Sequence, residues 1–321
     1  PTDRRNVGMS TNWQYHLLKA ISRLVCLLPY TIVLFIGRQL GRLYYHLAAR
    51  QSRRAMNQMQ ESLSVSAKEA ERITRRLFRK LGQTFMEVLY TPVLTPEKIK
   101  QLVTLENDQY LADAVSQGHG VVLLTAHIGN WEWLGAALAM AGFPLTTLIK
   151  KQPNDQHTRI LNEYRQKVGM EIFSRGTSEL VGAARALKKG KILSFLADQD
   201  AGVSGVFVSF LGKAASTPLG PAVFAKRFHS PIVPVFIVRR PEGGHRAIVE
   251  PPLIMEDTGD ETVDLYNATE KMTRIIEAVI RQYPDEWLWF QKRWNTAPRT
   301  PLSHRHNRGT PTLQERIGEQ A

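Results

Sequence analysis

Between residues 119 and 282 the chain alternates short apolar runs with helix-period segments, an order that few folds accommodate. The apolar runs at 120–126, 145–149, 170–173, 191–197 and 232–238 have strand length, and 246–250 adds a further strand. The stretches 131–142, 155–168, 177–189, 217–228 and 262–282 read as helices. Strands apolar on both faces must be covered on both faces, so the expected fold is α/β, with a mostly parallel central sheet flanked by helices. Sites in such sheets gather beyond the C-terminal strand ends.

The strand 120–126 ends on His127, and Glu132 follows five positions later. An imidazole at that edge can act as a general base, with the carboxylate placed in the first turn of the next helix. The interval by itself is weak, because His245 and Glu250 repeat it. That second pair lies within one predicted strand, where positions five apart face opposite ways. The alternative for the first pair is a satisfied loop histidine and a glutamate placed on the helix dipole.

A second polar block closes the strand 191–197, where Asp198, Gln199 and Asp200 share the same edge of the sheet as His127. Turn chemistry explains one of the three, and a site role suits the remainder. No phosphate-binding loop, dinucleotide glycine pattern, nucleophile elbow or Cys/His metal spacing occurs, so neither a cofactor nor a metal is expected. A histidine base without a serine elbow points to a hydroxyl that belongs to the substrate. Late in the chain Trp287, Trp289, Arg293 and Trp294 interleave aromatics with cations, which suits core packing, a lipid interface or base stacking.

Lysine and arginine number 42 against 29 acidic residues, a formal net charge of +13, so anionic partners are favoured. A single cysteine, Cys26, excludes an internal disulfide and reads as a small apolar residue. Residues 24–37 are uncharged and apolar but short for a membrane span, and Pro29 interrupts them. Lys19, Arg23, Arg38 and Arg42 bracket that stretch, as in a helix lying in a membrane interface; packing on the protein's own core is the alternative. Residues 51–90 read as a charged amphipathic helix. Three segments follow: a membrane-associating helical segment at 1–50, a main domain at 51–298, and a basic, mobile tail at 299–321.

Together these blocks resemble the late acyltransferases of lipid A biosynthesis, over about residues 15–298. The resemblance rests on His127 to Glu132 within TAHIGNWE, on Arg165 within 162–169, on ADQDAG at 197–202 with GVFV after it, on Thr217 and Gly220, and on Trp287 to Trp294. Glycolipid mannoside acyltransferases show a similar pattern, and the wider glycerophosphate acyltransferases share the His-x4-acid element. The resemblance implies a glycerophosphate acyltransferase-like fold and O-acyl transfer from an acyl carrier protein or coenzyme A thioester to a lipid A precursor. It also implies His127 and Glu132 as a catalytic pair, with Glu132 orienting or charging the imidazole. Arg165, Asp198, Gln199, Asp200 and Arg293 are implied as substrate-binding residues. The implied partners are the thioester donor, an anionic glycolipid acceptor and membrane lipids, without nucleic acid, at the cytoplasmic face of a bacterial inner membrane. Lys151 and Pro153 depart from the Arg-Pro found at that place in such proteins. A lysophospholipid or mannoside acceptor, and a non-enzymatic basic protein binding membrane or nucleic acid, are the competing readings.

Overall fold

The computed structural model describes residues 13–149, 156–174 and 177–298; Lys151, Pro153, and the predicted tail fall outside them. Four helices open the described chain: α1 (Trp13–Cys26), α2 (Tyr30–Leu47), α3 (Ala49–Leu63) and α4 (Ala67–Tyr90). Next come α5 (Pro96–Leu102), β1 (Val103–Glu106), α6 (Gln109–Ser116), β2 (Val121–Thr125), α7 (Trp131–Met140), β3 (Leu145–Ile149), α8 (Gln156–Lys167) and β4 (Glu171–Ser174). The last are α9 (Thr177–Lys188), β5 (Ile192–Leu196), β6 (Val206–Phe210), β7 (Lys213–Thr217), α10 (Gly220–Phe228), β8 (Ile232–Arg239), β9 (His245–Val249) and α11 (Glu261–Gln282).

Seven strands form the central sheet in the order β1-β9-β8-β2-β5-β3-β4. All neighbours are parallel except β8 with β9, which confirms the mostly parallel α/β sheet. β2 is buried along its whole length, and helices cover the sheet on both faces, as the apolar strands require. β6 and β7 form a separate hairpin closed by Leu211 and Gly212, both at positive φ. Residues 51–90 make two helices rather than one, because Ser64 takes a left-handed φ of 55° at the end of α3.

The N-terminal apolar stretch also divides, into α1 and α2 about Pro29. Among the described residues no helix is long and apolar enough to cross a membrane. Instead the two helices are amphipathic and leave large apolar side chains in solvent. Trp13, Leu17, Ile21 and Leu24 recur at helical spacing on α1, while Ile32, Phe35, Leu43 and Leu47 are exposed on α2.

The opposite face of α2 packs on α4 at backbone distance. A Cβ added to Gly41 would lie 2.2 Å from the Phe78 carbonyl oxygen, and one added to Gly82 would lie 2.1 Å from that of Gly37. Three glycines therefore set the separation of the two helices. Gly82→Ala is expected to force them apart and to destabilise the fold by about 1–3 kcal/mol in chemical denaturation, as overpacking does. An unchanged midpoint would show that the crossing tolerates a methyl group.

Candidate active site

β2 and β5 are parallel neighbours, with Thr125 opposite Leu196. His127 and Asp198 each lie two residues beyond that pair, so the sheet register delivers them side by side. The ring Nδ1 of His127 sits 2.8 Å from Asp198 Oδ1, and the His127 backbone N–H donates to Asp198 Oδ2 at 3.0 Å. A carboxylate that accepts from Nδ1–H fixes the tautomer and leaves Nε2 with a free lone pair. Among the described residues no group bonds Nε2, and the side chain retains 17% of its exposure. Trp131 packs edge-on against the ring with centroids 5.0 Å apart.

Asp198 is fully buried. Two further donors complete its shell: Trp287 Nε1 at 2.8 Å and Gln291 Nε2 at 3.1 Å, both to Oδ2. The segment carrying them is stitched to the histidine loop. Ile128 bridges to Trp287, the Gly129 N–H donates to the Glu286 carbonyl at 3.0 Å, and the Leu288 N–H donates to the His127 carbonyl at 3.3 Å. Gly129 has a φ of +59°, and a Cβ there would lie 2.1 Å from the Ile237 carbonyl oxygen, so only glycine fits that turn. Burial alone would raise the Asp198 carboxyl, but the imidazole, the indole and the amide hold it well below the usual carboxylate range. Burial works against the imidazolium too; the Asp198 charge and hydrogen bond, then the Glu132 charge, outweigh it and hold His127 above its ordinary value.

Glu132 occupies the first turn of α7, as expected, but does not bond the imidazole. Its two oxygens accept from Arg165 Nε at 2.8 Å and Nη2 at 2.5 Å, a forked pair between α7 and α8. Arg165 also donates to Asn162 Oδ1 at 3.1 Å. Gln199 is exposed, and Asp200 accepts from the Thr296 hydroxyl at 2.7 Å. Arg293 is 1% exposed and donates to the Ser216 carbonyl and the Thr217 hydroxyl, with its guanidinium over the Phe210 ring. Burial draws its pKa down to about 10 against the opposing charges of Asp198 and Asp200. Its contacts are thus internal, tying the C-terminal segment to β7. Trp287 and Trp289 are fully buried, which realises the core-packing reading of that block and gives Trp287 a place in the site as well.

A second buried carboxylate was not visible as a site residue in the sequence. Glu87, on α4, accepts from both terminal nitrogens of Arg239 at 2.7 Å, from the Tyr30 hydroxyl at 2.6 Å and from Asn130 Nδ2 at 2.9 Å. His245 Nε2 lies 3.1 Å from the same carboxylate, so the second His-x4-acid pair is a core histidine on a strand. Asn130 Oδ1 in turn caps α7 through the Trp133 N–H at 3.1 Å. Glu87 burial is opposed by His245 and Arg239, which hold the carboxyl well below its usual range. Glu87→Gln is expected to cost about 3–5 kcal/mol in a denaturant titration, since it leaves Arg239 buried without its counter-charge. A loss under 1 kcal/mol would show that the network is replaceable.

Among the described residues no cluster of His, Cys, Asp or Glu could hold a metal ion. A match to the family model described as bacterial lipid A biosynthesis acyltransferase covers residues 2–296. The chain is 24% identical to the lipid A biosynthesis palmitoleoyltransferase of Escherichia coli K12, over 84% of this chain and 87% of the relative. It is 24% identical to the lauroyltransferase of the same strain, over 86% and 89%. It is 26% identical to the phosphatidylinositol mannoside acyltransferase of Mycolicibacterium smegmatis, over 65% and 67%. With a strand-end histidine at the sheet mouth and the family pattern spanning nearly the whole chain, this protein belongs to the bacterial lipid A biosynthesis acyltransferase family and is an acyltransferase.

Proposed function

We propose that the protein moves a fatty acyl chain from an acyl carrier protein or coenzyme A thioester to a hydroxyl of a lipid A precursor, with His127 as general base. The observation that carries this reading is the His127–Asp198 bond at Nδ1 together with the open Nε2. In the proposed step Nε2 takes the proton of the acceptor hydroxyl, and the oxygen attacks the thioester carbonyl. The tetrahedral oxyanion collapses, the C–S bond breaks, and the imidazolium returns the proton to the departing thiolate. Asp198 orients the imidazole. Glu132 contributes charge and clamps Arg165, whose guanidinium, with Gln199 and Asp200, contacts the acceptor or donor head group. Arg293 supports that surface from within.

The exposed apolar faces of α1 and α2 support association with a membrane surface without a span. In this reading they lie on the cytoplasmic face of a bacterial inner membrane. The net charge of +13 suits an anionic membrane, an anionic acceptor and either anionic donor. The mannoside acyltransferase relative favours a mannoside acceptor as the second reading.

Purified protein, acyl thioesters of both kinds and a Kdo-lipid A precursor, followed by mass spectrometry, test the proposal. Transfer to the precursor is expected; transfer to a mannoside lipid alone selects the second reading. His127→Ala is expected to abolish transfer with the fold intact, and near-normal turnover would sink the general-base role. Asp198→Asn is expected to lose on the order of 10³–10⁴-fold in kcat by favouring the wrong tautomer.

The neutral imidazole is the active form, so kcat/KM is expected to rise with pH and level off above a midpoint higher than the ordinary histidine value of about 6.5. Glu132→Ala removes a negative charge that favours the imidazolium and leaves Arg165 unpaired. Both changes lower the midpoint, so the variant's limb should move to lower pH while its plateau falls by on the order of 10²-fold. A midpoint moving upward would contradict the proposed electrostatics.

A further inference from the structure

Helices α2 and α4 bring basic side chains together away from His127. Arg42, Tyr45 and His46 fall within about one turn of α2, while Arg72, Arg75 and Arg79 recur at helical spacing on α4. These six residues line a cavity of about 290 Å³. Four guanidinium groups around one cavity repel each other unless negative charge is supplied.

The protein supplies part of it. Arg72 pairs with Glu69 and Arg75 with Glu71, both as near neighbours along the exposed side of α4. Arg79 has no carboxylate partner among the described residues, and Arg42 bonds the neutral amide of Gln39. The adjoining cations of α4 are treated differently: Arg76 and Lys80 are matched by Asp285 and Glu286. The Arg75 guanidinium also lies 4.8 Å from the Tyr45 ring centroid, which holds it over the cavity.

About 100° around α2 from Arg42 and His46 lies an exposed apolar strip. Leu43 and Leu47, the latter 74% exposed, directly follow Arg42 and His46 on α2. A surplus of guanidinium beside exposed leucines matches a molecule with a phosphate at one end and hydrocarbon at the other. A soluble phosphate or a nucleic acid backbone gains nothing from the leucines. We infer that the cavity between α2 and α4 binds the phosphate headgroup of a membrane lipid, with the acyl chains lying along Leu43 and Leu47. This site is separate from acyl transfer at His127, and its test does not depend on that reaction.

Vesicle co-sedimentation of the full chain measures it, using phosphatidylcholine alone and phosphatidylcholine containing phosphatidic acid. The comparison is between Arg42→Gln/Arg75→Gln/Arg79→Gln and a charge-matched control, Arg185→Gln/Lys188→Gln/Lys189→Gln, at the C-terminal end of α9 and the turn after it. The cavity variant is expected to lose on the order of 10²-fold in affinity for the phosphatidic acid vesicles, and the control no more than about twofold. Equal losses would reduce the effect to diffuse surface charge and overturn the site. Inorganic phosphate at millimolar concentration is expected to leave vesicle binding in place; full displacement would identify a free-phosphate site instead. Leu43→Ser/Leu47→Ser keeps every arginine and gives a reading if the cavity variant misfolds. It is expected to lose at least about tenfold in affinity, and unchanged affinity would overturn the lipid assignment.

Discussion

Taking the Asp198 carboxylate out of water costs several kcal/mol unless its lone pairs are filled by donors. Four N–H groups fill them: the backbone and ring of His127, the Trp287 indole and the Gln291 amide. The donors come from two segments far apart in sequence, and satisfying one carboxylate therefore joins them. This explains why the residues after α11 run back beside the end of β2, pairing at Ile128, Gly129 and His127 instead of leaving the sheet. The fully buried Trp287 and the internally bonded Arg293 then secure that return against the hairpin. The imidazole is held by an anchor that is itself held on every side.

Glu87 performs the corresponding task one layer away. It gathers Tyr30 from α2, Arg239 from β8, His245 from β9 and Asn130 from the cap of α7. Helix α2, with its exposed apolar face, and the loop bearing His127 are thereby parts of one frame. Close glycine packing between α2 and α4 fixes the other end of that frame. Two buried carboxylates and three glycines thus hold α2, α4 and the His127 loop at a constant separation.

Much of the sheet was legible because its strands are short, apolar and separated by well-formed helices. The boundaries of β3 coincide with the expected 145–149, and those of β2, β5 and β8 differ by a residue or two. What escaped was set by backbone torsion or by pairing across the sheet. Ser64 breaks the 51–90 helix at a positive φ without the glycine that would advertise it, and Leu211 takes the same left-handed conformation in the β6–β7 turn, one residue before Gly212. β1 has only four residues at a sheet edge, too few for a period. For the site, residue types and strand ends identified His127 and Asp198 as neighbours in kind. Which acid meets the imidazole depends on β2 lying beside β5, and strand order is not written in either strand. Glu87 was hidden for a related reason: it looks like one more charge on a charged helix, and only the packing of α4 buries it.

The His-x4-Glu spacing therefore means something other than a direct bond. A turn and a helical start place Glu132 on α7, where it meets Arg165 of α8, while the strand end hands His127 to Asp198. A second carboxylate left unopposed near the imidazole would raise its pKa further. Arg165 neutralises that second carboxylate, and Glu132 remains the smallest of the influences raising His127. The histidine thus keeps one strong partner at Nδ1, which fixes its tautomer, and a balanced ion pair beyond. Its basicity is raised, and Nε2 stays open.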